Sequence, residues 1–443
     1  MSNRESAVPR GRLARLARFS ALAGGIAGRA AVQGARQWAT GTKPDAATLL
    51  LTPANIGRIT DELARLRGAA MKMGQLVSMD SGEFLPPELG QIMARLREDA
   101  QAMPPKQLKS VLDRNWGPGW LAKFERFDVR PIAAASIGQV HRARLKDGRD
   151  LAIKVQYPGV RASIDSDVDN VGSLMRLSGL VPAHVDVASL LGEAKRQLHE
   201  EADYLREADS LAAFGRLLAH APEFRVPGLE AGLTTVDVLA MEFLPGQPIE
   251  ALATADQALR DRVMTAMMAL VLRELFEFRL MQTDPNFANY RWNAETGRIV
   301  LLDFGATRIV PQPVADAYRR LMQAGLAGDR CEAMAAALSI GLFGADTDAV
   351  SQGRVIDMFQ TAFAPIAAGD VFDFSTTDVA ARLREDGLAL AQDRSFWHLP
   401  PADTLFLQRK FGGLFLLGSR LKARVDVRAL MLPWANAQAR GAF

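Results

Sequence analysis

Asp284-Pro285-Asn286-Phe287-Ala288-Asn289 is followed, after a short hairpin-like stretch, by Leu301-Leu302-Asp303-Phe304-Gly305. An aspartate, an asparagine five residues on and a second aspartate heading a D-F-G triplet are residue types that orient a nucleophile and hold magnesium against phosphate oxygens. A lone D-F-G triplet carries little information. With Asp284 and Asn289 correctly spaced upstream, phosphoryl chemistry becomes the leading reading. The apolar run Arg298-Ile299-Val300-Leu301-Leu302 is expected to be a strand that places Asp303 rigidly.

Lys154 adds a second feature. It lies in Leu151-Ala152-Ile153-Lys154-Val155-Gln156-Tyr157, which with Val140-His141-Arg142-Ala143-Arg144-Leu145 and the turn Lys146-Asp147-Gly148-Arg149 reads as a β-hairpin. A lysine facing inward from such a strand is costly unless it meets a carboxylate or a phosphate. A helical glutamate is the expected partner. The run from Glu200 through Glu201 and Asp203 to Glu207 offers several, and spacing alone does not choose among them. Ahead of the hairpin stands Ala133-Ala134-Ala135-Ser136 instead of a glycine-rich phosphate loop, so access to positive φ is restricted and nucleotide geometry should differ from that of protein kinases. At Lys72-Met73-Gly74-Gln75 a glycine interrupts a helical pattern; on physical grounds alone Lys72 and Gln75 read as ordinary solvated residues.

Helical periodicity runs from Pro53 to Asp99, broken at Pro86-Pro87. Pro104-Pro105 and Trp116-Gly117-Pro118-Gly119 look like punctuation before a different kind of structure, giving a boundary near residue 125. Ala188 to Leu217 reads as one long helix, Thr234 to Phe243 as a strand, Asp256 to Met281 as a helix, and everything after Leu302 as helical. At 443 residues with 49% hydrophobic side chains, the chain can bury a large core. One cysteine, Cys331, excludes internal disulfides and cysteine metal clusters. Residues 1–43 carry eight basic side chains against Glu5 alone, so a net +7 sits on this segment and −4 on the rest. The apolar stretch within it is too short to span a bilayer, which takes about 20 residues. It reads either as a contact for anionic membrane surfaces or as a basic tail.

Taken in order, Lys72-x-Gly74-Gln75, the alanine loop, Glu201-x-Asp203, Asp284-x4-Asn289 and Asp303-Phe304-Gly305 resemble the UbiB family of atypical kinase-like proteins from about residue 55 onward. Leu272 to Arg308 is most similar to the mitochondrial and alphaproteobacterial branch that supports ubiquinone biosynthesis. The resemblance implies an α+β, two-lobed protein-kinase-like fold, with a small N-lobe sheet, extra N-terminal helices and a largely helical C-lobe. It implies ATP or ADP with Mg2+ as cofactors, Asn289 and Asp303 on the metal, and Lys154 on the α- and β-phosphates. Glu207 would pair with Lys154, and Asp284 would act on the nucleophile. Ala133 to Ser136 would lie by the nucleotide, and backbone groups of Glu242, Phe243 and Leu244 would receive adenine. Lys72, Gly74 and Gln75 would meet Glu201 and Asp203 as a regulatory element over the would-be protein-substrate cleft, reversing the solvated reading of Lys72.

The expected domains are a basic, membrane-contacting segment 1–43, a helical extension 44–125, an N-lobe with a helical insertion 126–245 and a C-lobe 246–443. Asn286 where protein kinases carry a lysine, Gln282-Thr283 for His-Arg, and no A-P-E after Gly305 leave little provision for a peptide substrate. The expected activity is therefore an ATPase or small-molecule kinase supporting ubiquinone biosynthesis. A protein Ser/Thr kinase and a nucleotide-gated lipid-handling scaffold are the alternatives. Expected partners are anionic lipid and quinone precursors or pathway enzymes, with no nucleic acid, and a homodimer is compatible with Gly24, Gly25 and Gly28. The expected location is the bacterial cytoplasm, peripheral at the inner membrane.

Overall fold

The computed structural model describes residues 102–135, 137–178, 187–369, 371–392 and 400–436. These divide into two compact units, one reaching to Ala212 and including Gly228–Phe243, the other formed by Ala213–Pro227 and the chain from Leu244 onward.

The first unit is built on an antiparallel sheet of β1 (Phe124–Phe127), β2 (Ala133–Ala134), β3 (Gly138–Leu145), β4 (Asp150–Gln156) and β6 (Val238–Glu242). Its order is β1-β3-β4-β6, with β2 on β3. The β3–β4 turn forms where expected: Gly148 takes φ +89°, and Arg149 N donates to Asp147 Oδ1 at 3.0 Å. Strand alternation then sorts β4. Leu151, Ile153 and Val155 join a core with Leu108, Val111 and Leu112 of helix α1 (Pro105–Trp116), leaving Lys154 and Gln156 for the opposite face. Pro105 opens α1 as its first residue, where a missing N–H costs nothing, so the proline pair starts a helix where punctuation is expected.

Helices α2 (Val160–Ser178), α3 (Val187–Glu201) and α4 (Tyr204–Leu217) follow, so the expected single helix from 188 to 217 is two. Tertiary bonds break it. The Ala202 carbonyl accepts from Gln156 Nε2 at 2.7 Å and from Arg161 at 2.6 Å, while Asp203 Oδ1 accepts from Arg206 N at 3.1 Å as the cap of α4. The expected strand from 234 is shorter too, because Thr234 to Asp237 form a turn region stitched by Thr234 and Thr235 hydroxyls.

The second unit carries α5 (Gln257–Arg273), β8 (Leu280–Gln282), β9 (Tyr290–Asn293), β10 (Arg298–Leu301), β11 (Thr307–Ile309), α6 (Gln312–Ala327), α7 (Arg330–Ser339), α8 (Ala349–Ala367), α9 (Val379–Gln392), α10 (Ala402–Leu421) and α11 (Val427–Ala435). One sheet runs β5-β10-β9-β7, with β5 at Phe224–Arg225 and β7 at Gln247–Pro248. A separate ladder pairs β11 with β8, and Phe372–Asp373 (β12) pairs Arg424–Val425 (β13), so the stretch after Leu302 is not wholly helical. Helix α5 also stops short of Met281. A π-helical turn, Glu274–Phe278, and Arg279 at φ +48° end it and release Met281 into β8.

Candidate functional site

In the first unit, Lys154 Nζ donates to both oxygens of Glu207 at 2.9 Å. Both residues are buried, and the Tyr204 ring lies 5.2 Å from the ammonium. The break after Glu201 produces this pairing: it lets α4 start at Tyr204 and puts Glu207 in the first turn, opposite the polar face of β4. Gly138, opposite Gln156 in the β3–β4 ladder, has to be glycine because a Cβ there would overlap the Val155 carbonyl oxygen and crowd the Tyr204 hydroxyl. Ala133 and Ala134 form β2 with exposed side chains, and Ala135 N closes the turn onto the Gly138 carbonyl at 2.9 Å. None of these three alanines takes a positive φ. Ser136 lies outside the described residues, as do Lys72, Gly74 and Gln75.

Glu201 ends α3 and Asp203 caps α4. At the end of β6, the Glu242 amide donates to the Gly228 carbonyl at 2.7 Å and the Phe243 amide to that of Asp150 at 2.9 Å. Those two amides are thus engaged within the protein. Leu244 begins the second unit.

In the second unit, Asp284, Asn289 and Asp303 sit at the ends of short strands. Asn289 directly precedes β9, and the β9–β10 register brings the Asn289 carbonyl opposite Leu302 N, which donates to it at 2.8 Å. Asp303 therefore emerges beside Asn289 because a hairpin counts it there. Asn286 Oδ1 accepts from Ala288 N at 3.1 Å and caps the turn Phe287–Asn289, while Asp284 Oδ1 accepts from Asn286 N at 3.3 Å. Asn289 Nδ2 donates to Asp284 Oδ2 at 3.0 Å. With its nitrogen committed, the carboxamide turns its oxygen away from Asp284.

Asp303 takes φ +60°, a conformation that aspartate tolerates better than most side chains, and its Oδ1 accepts from Gly305 N at 3.1 Å. Phe304 is buried with its ring 4.9 Å from Phe214. Carboxylate and amide oxygens suit magnesium, which keeps waters and phosphate oxygens around it and takes only one or two protein ligands. A denser cage is not required, and among the described residues no three His, Cys, Asp or Glu side chains gather as one.

Behind these residues lies a buried network that sequence reading missed. Lys410, in α10, donates from Nζ to the Gln282 carbonyl at 2.7 Å, to Gln282 Oε1 at 3.0 Å and to the Tyr290 hydroxyl at 3.0 Å. Glu274 lies 3.5 Å from the same ammonium, and each of the two side chains is 1% exposed. Tyr290 OH donates to Gln282 Oε1 at 3.2 Å, and Gln282 Nε2 to the Asp303 carbonyl at 3.3 Å. Burial pushes the Glu274 carboxyl up, with Lys410 opposing it. Burial alone would push the Lys410 ammonium down, but Glu274 and Tyr290 hold it above its usual value. The readable signal was a lysine in the apolar stripe Phe406, Leu407, Leu414, Leu417 and Leu421.

Residues 95–337 match the family described as the ABC1 atypical kinase-like domain. The chain is similar to the atypical kinase COQ8, mitochondrial, of Saccharomyces cerevisiae, at 38% identity over 96% of this chain and 85% of that protein. It is also similar to the atypical kinase COQ8B, mitochondrial, of Rattus norvegicus, at 37% identity over 98% of this chain and 84% of that one. Among solved structures, the Mycobacterium tuberculosis Rv3197–erythromycin complex superposes with a TM-score of 0.59 at 24% identity, covering 84% of this chain and 94% of that one, a likeness of fold. The architecture is the α+β, two-lobed protein-kinase-like type, with a small antiparallel sheet and a largely helical remainder. The expected bacterial cytoplasmic location at the inner membrane is corrected by these relatives, whose names place them in mitochondria. Among the described residues, no helix is long and apolar enough to cross a membrane.

Proposed function

The chain belongs to the ABC1 atypical kinase-like family, and on that footing we propose that it is an ATPase or small-molecule kinase that uses Mg-ATP in support of ubiquinone biosynthesis. The COQ8 relatives support the role in ubiquinone biosynthesis, and the kinase-like fold implies ATP binding. The observation that carries the reading is the β9–β10 register, which brings Asn289 and Asp303 together while Asn289 holds Asp284.

Asn289 and Asp303 would hold magnesium, which neutralises phosphate charge when bound. Lys154, oriented by Glu207, contacts the α- and β-phosphates, and Asp284 orients or deprotonates the nucleophile. Ala133 to Ser136 lie along the nucleotide. Adenine is received by main-chain groups of Glu242 to Leu244 other than the two engaged amides. Lys72, Gly74, Gln75, Glu201 and Asp203 regulate access, within a layout of segment 1–43, extension 44–125, N-lobe 126–245 and C-lobe 246–443.

The chain immediately after Gly305 favours a small-molecule acceptor or water over a peptide. Thr307 to Ile309 pair directly with β8, and α6 starts at Gln312, which leaves little room at this point for an activation segment. Quinone precursors or pathway enzymes, and anionic lipid touching residues 1–43, are the proposed partners.

Asp303→Asn tests the metal role cleanly, because asparagine shares aspartate's tolerance of positive φ and only the charge is lost. Magnesium-dependent nucleotide binding should disappear and kcat/KM for ATP should fall roughly a hundredfold. Unchanged ATP affinity and turnover would remove Asp303 from the metal.

A further inference from the structure

We infer that Lys410 is a positioning residue for the Asp303 carboxylate, acting through Gln282. The inference rests on the reading of Asp303 as a magnesium ligand. An ammonium has three hydrogens and accepts nothing, and all three of these are placed: on the Gln282 carbonyl, on Gln282 Oε1 and on the Tyr290 hydroxyl. With Tyr290 OH also donating to it, Oε1 faces two donors. The Gln282 carboxamide consequently has one allowed orientation, and its Nε2 must face the Asp303 carbonyl. That bond, with the one from Gly305 N to Asp303 Oδ1, fixes the peptide on one side of Asp303 and its side chain on the other, at φ +60°.

Stability does not explain a lysine at this position. Burying an ammonium and a carboxylate together costs desolvation that apolar side chains of similar size avoid, and such replacements are often neutral or stabilising. What an apolar residue cannot do is set the polarity of Gln282. The same lysine ties α10 to β8 through the Gln282 carbonyl and to β9 through Tyr290, the strands that lead into Asp284 and out of Asn289.

Two full-length variants separate positioning from packing. Lys410→Met combined with Glu274→Gln removes both buried charges, so that neither is stranded. Gln282→Glu keeps a partner for Lys410 but replaces the donor to Asp303 with an acceptor. The readouts are the Mg2+ concentration for half-maximal binding of a fluorescent ADP analogue, the affinity of that analogue without metal, and the melting temperature. In both variants the half-saturating Mg2+ concentration should rise roughly ten- to a hundredfold, with metal-free affinity unchanged. A lowered melting temperature with wild-type Mg2+ dependence would make Lys410 a structural residue only and overturn the inference. If the double variant does not fold, Gln282→Glu alone decides. If the wild-type protein shows no Mg2+ dependence, the metal role of Asp303 fails and the inference falls with it.

Discussion

His141 shows how much a single buried side chain can demand of its protonation state. It is fully buried in β3 with its ring stacked on Phe127. The Met103 amide donates to Gln139 Oε1 at 2.7 Å, which turns Gln139 Nε2 toward His141 Nε2 at 2.8 Å, and His141 Nδ1 faces the Asp128 carbonyl at 2.8 Å. Only a neutral ring protonated on Nδ1 satisfies this relay, since a second proton on Nε2 would meet the Gln139 amide hydrogens. Burial accordingly pushes the imidazole down from its usual value, with Asp128 opposing. The folded state takes its proton at lower pH than the unfolded chain. The stabilising contribution is therefore complete above about pH 6.5 and is lost as pH falls through the folded value, with a slope of up to about 1.4 kcal/mol per pH unit. Denaturant titrations at pH 7 and pH 5 should show that loss, and His141→Gln should flatten it at some cost in stability at pH 7. An equally steep decline in the variant would assign the acid sensitivity to other groups.

Elements that the sequence makes legible are those whose cause is local. The β3–β4 hairpin follows from Gly148 and the alternation of β4, and the β9–β10 hairpin from Asn293, which accepts from Glu295 N and Thr296 N, and from Gly297 at φ +66°. The break between α3 and α4 is not legible, because the groups capturing the Ala202 carbonyl come from Gln156 and Arg161, some forty residues away. Lys410 is further still, 128 residues from Gln282. Helix α10 also shows why adjacent glycines need not be equivalent. A Cβ at Gly413 would overlap Pro285, next to Asp284, whereas nothing lies within 4 Å of one at Gly412. Gly413→Ala should therefore cost about 1–3 kcal/mol by overpacking and, by shifting the Asp284 loop, up to roughly a hundredfold in ATP turnover. Gly412→Ala should leave turnover unchanged and gain up to about 1 kcal/mol in a helix interior. Matched turnover in the two variants would mean that α10 does not support the loop.

Across the whole molecule, the spacing of Asn289 and Asp303 could be read from sequence because one hairpin sets it, and that of Asp284 and Asn289 because one short turn does, whereas the choice of Glu207 for Lys154 took a resemblance as well as a pattern, several acids lying in the same run. The partition of charge needs no structure at all. A net +7 on residues 1–43 against −4 on the remainder is what supports the proposal that this segment meets an anionic surface. Each basic side chain near such a surface contributes about 1 kcal/mol, so replacing Arg10, Arg12, Arg15 and Arg18 with glutamine should remove roughly 4 kcal/mol, close to a thousandfold in vesicle affinity. Flotation of the full-length protein with phosphatidylserine-containing vesicles should show capture that the four-fold variant lacks. Raising the salt to about 1 M, where the screening length shrinks to about 3 Å, should release the wild type. Neutral phosphatidylcholine vesicles should capture neither protein. Equal flotation of the two proteins on anionic vesicles would return residues 1–43 to a basic tail with no part in lipid binding.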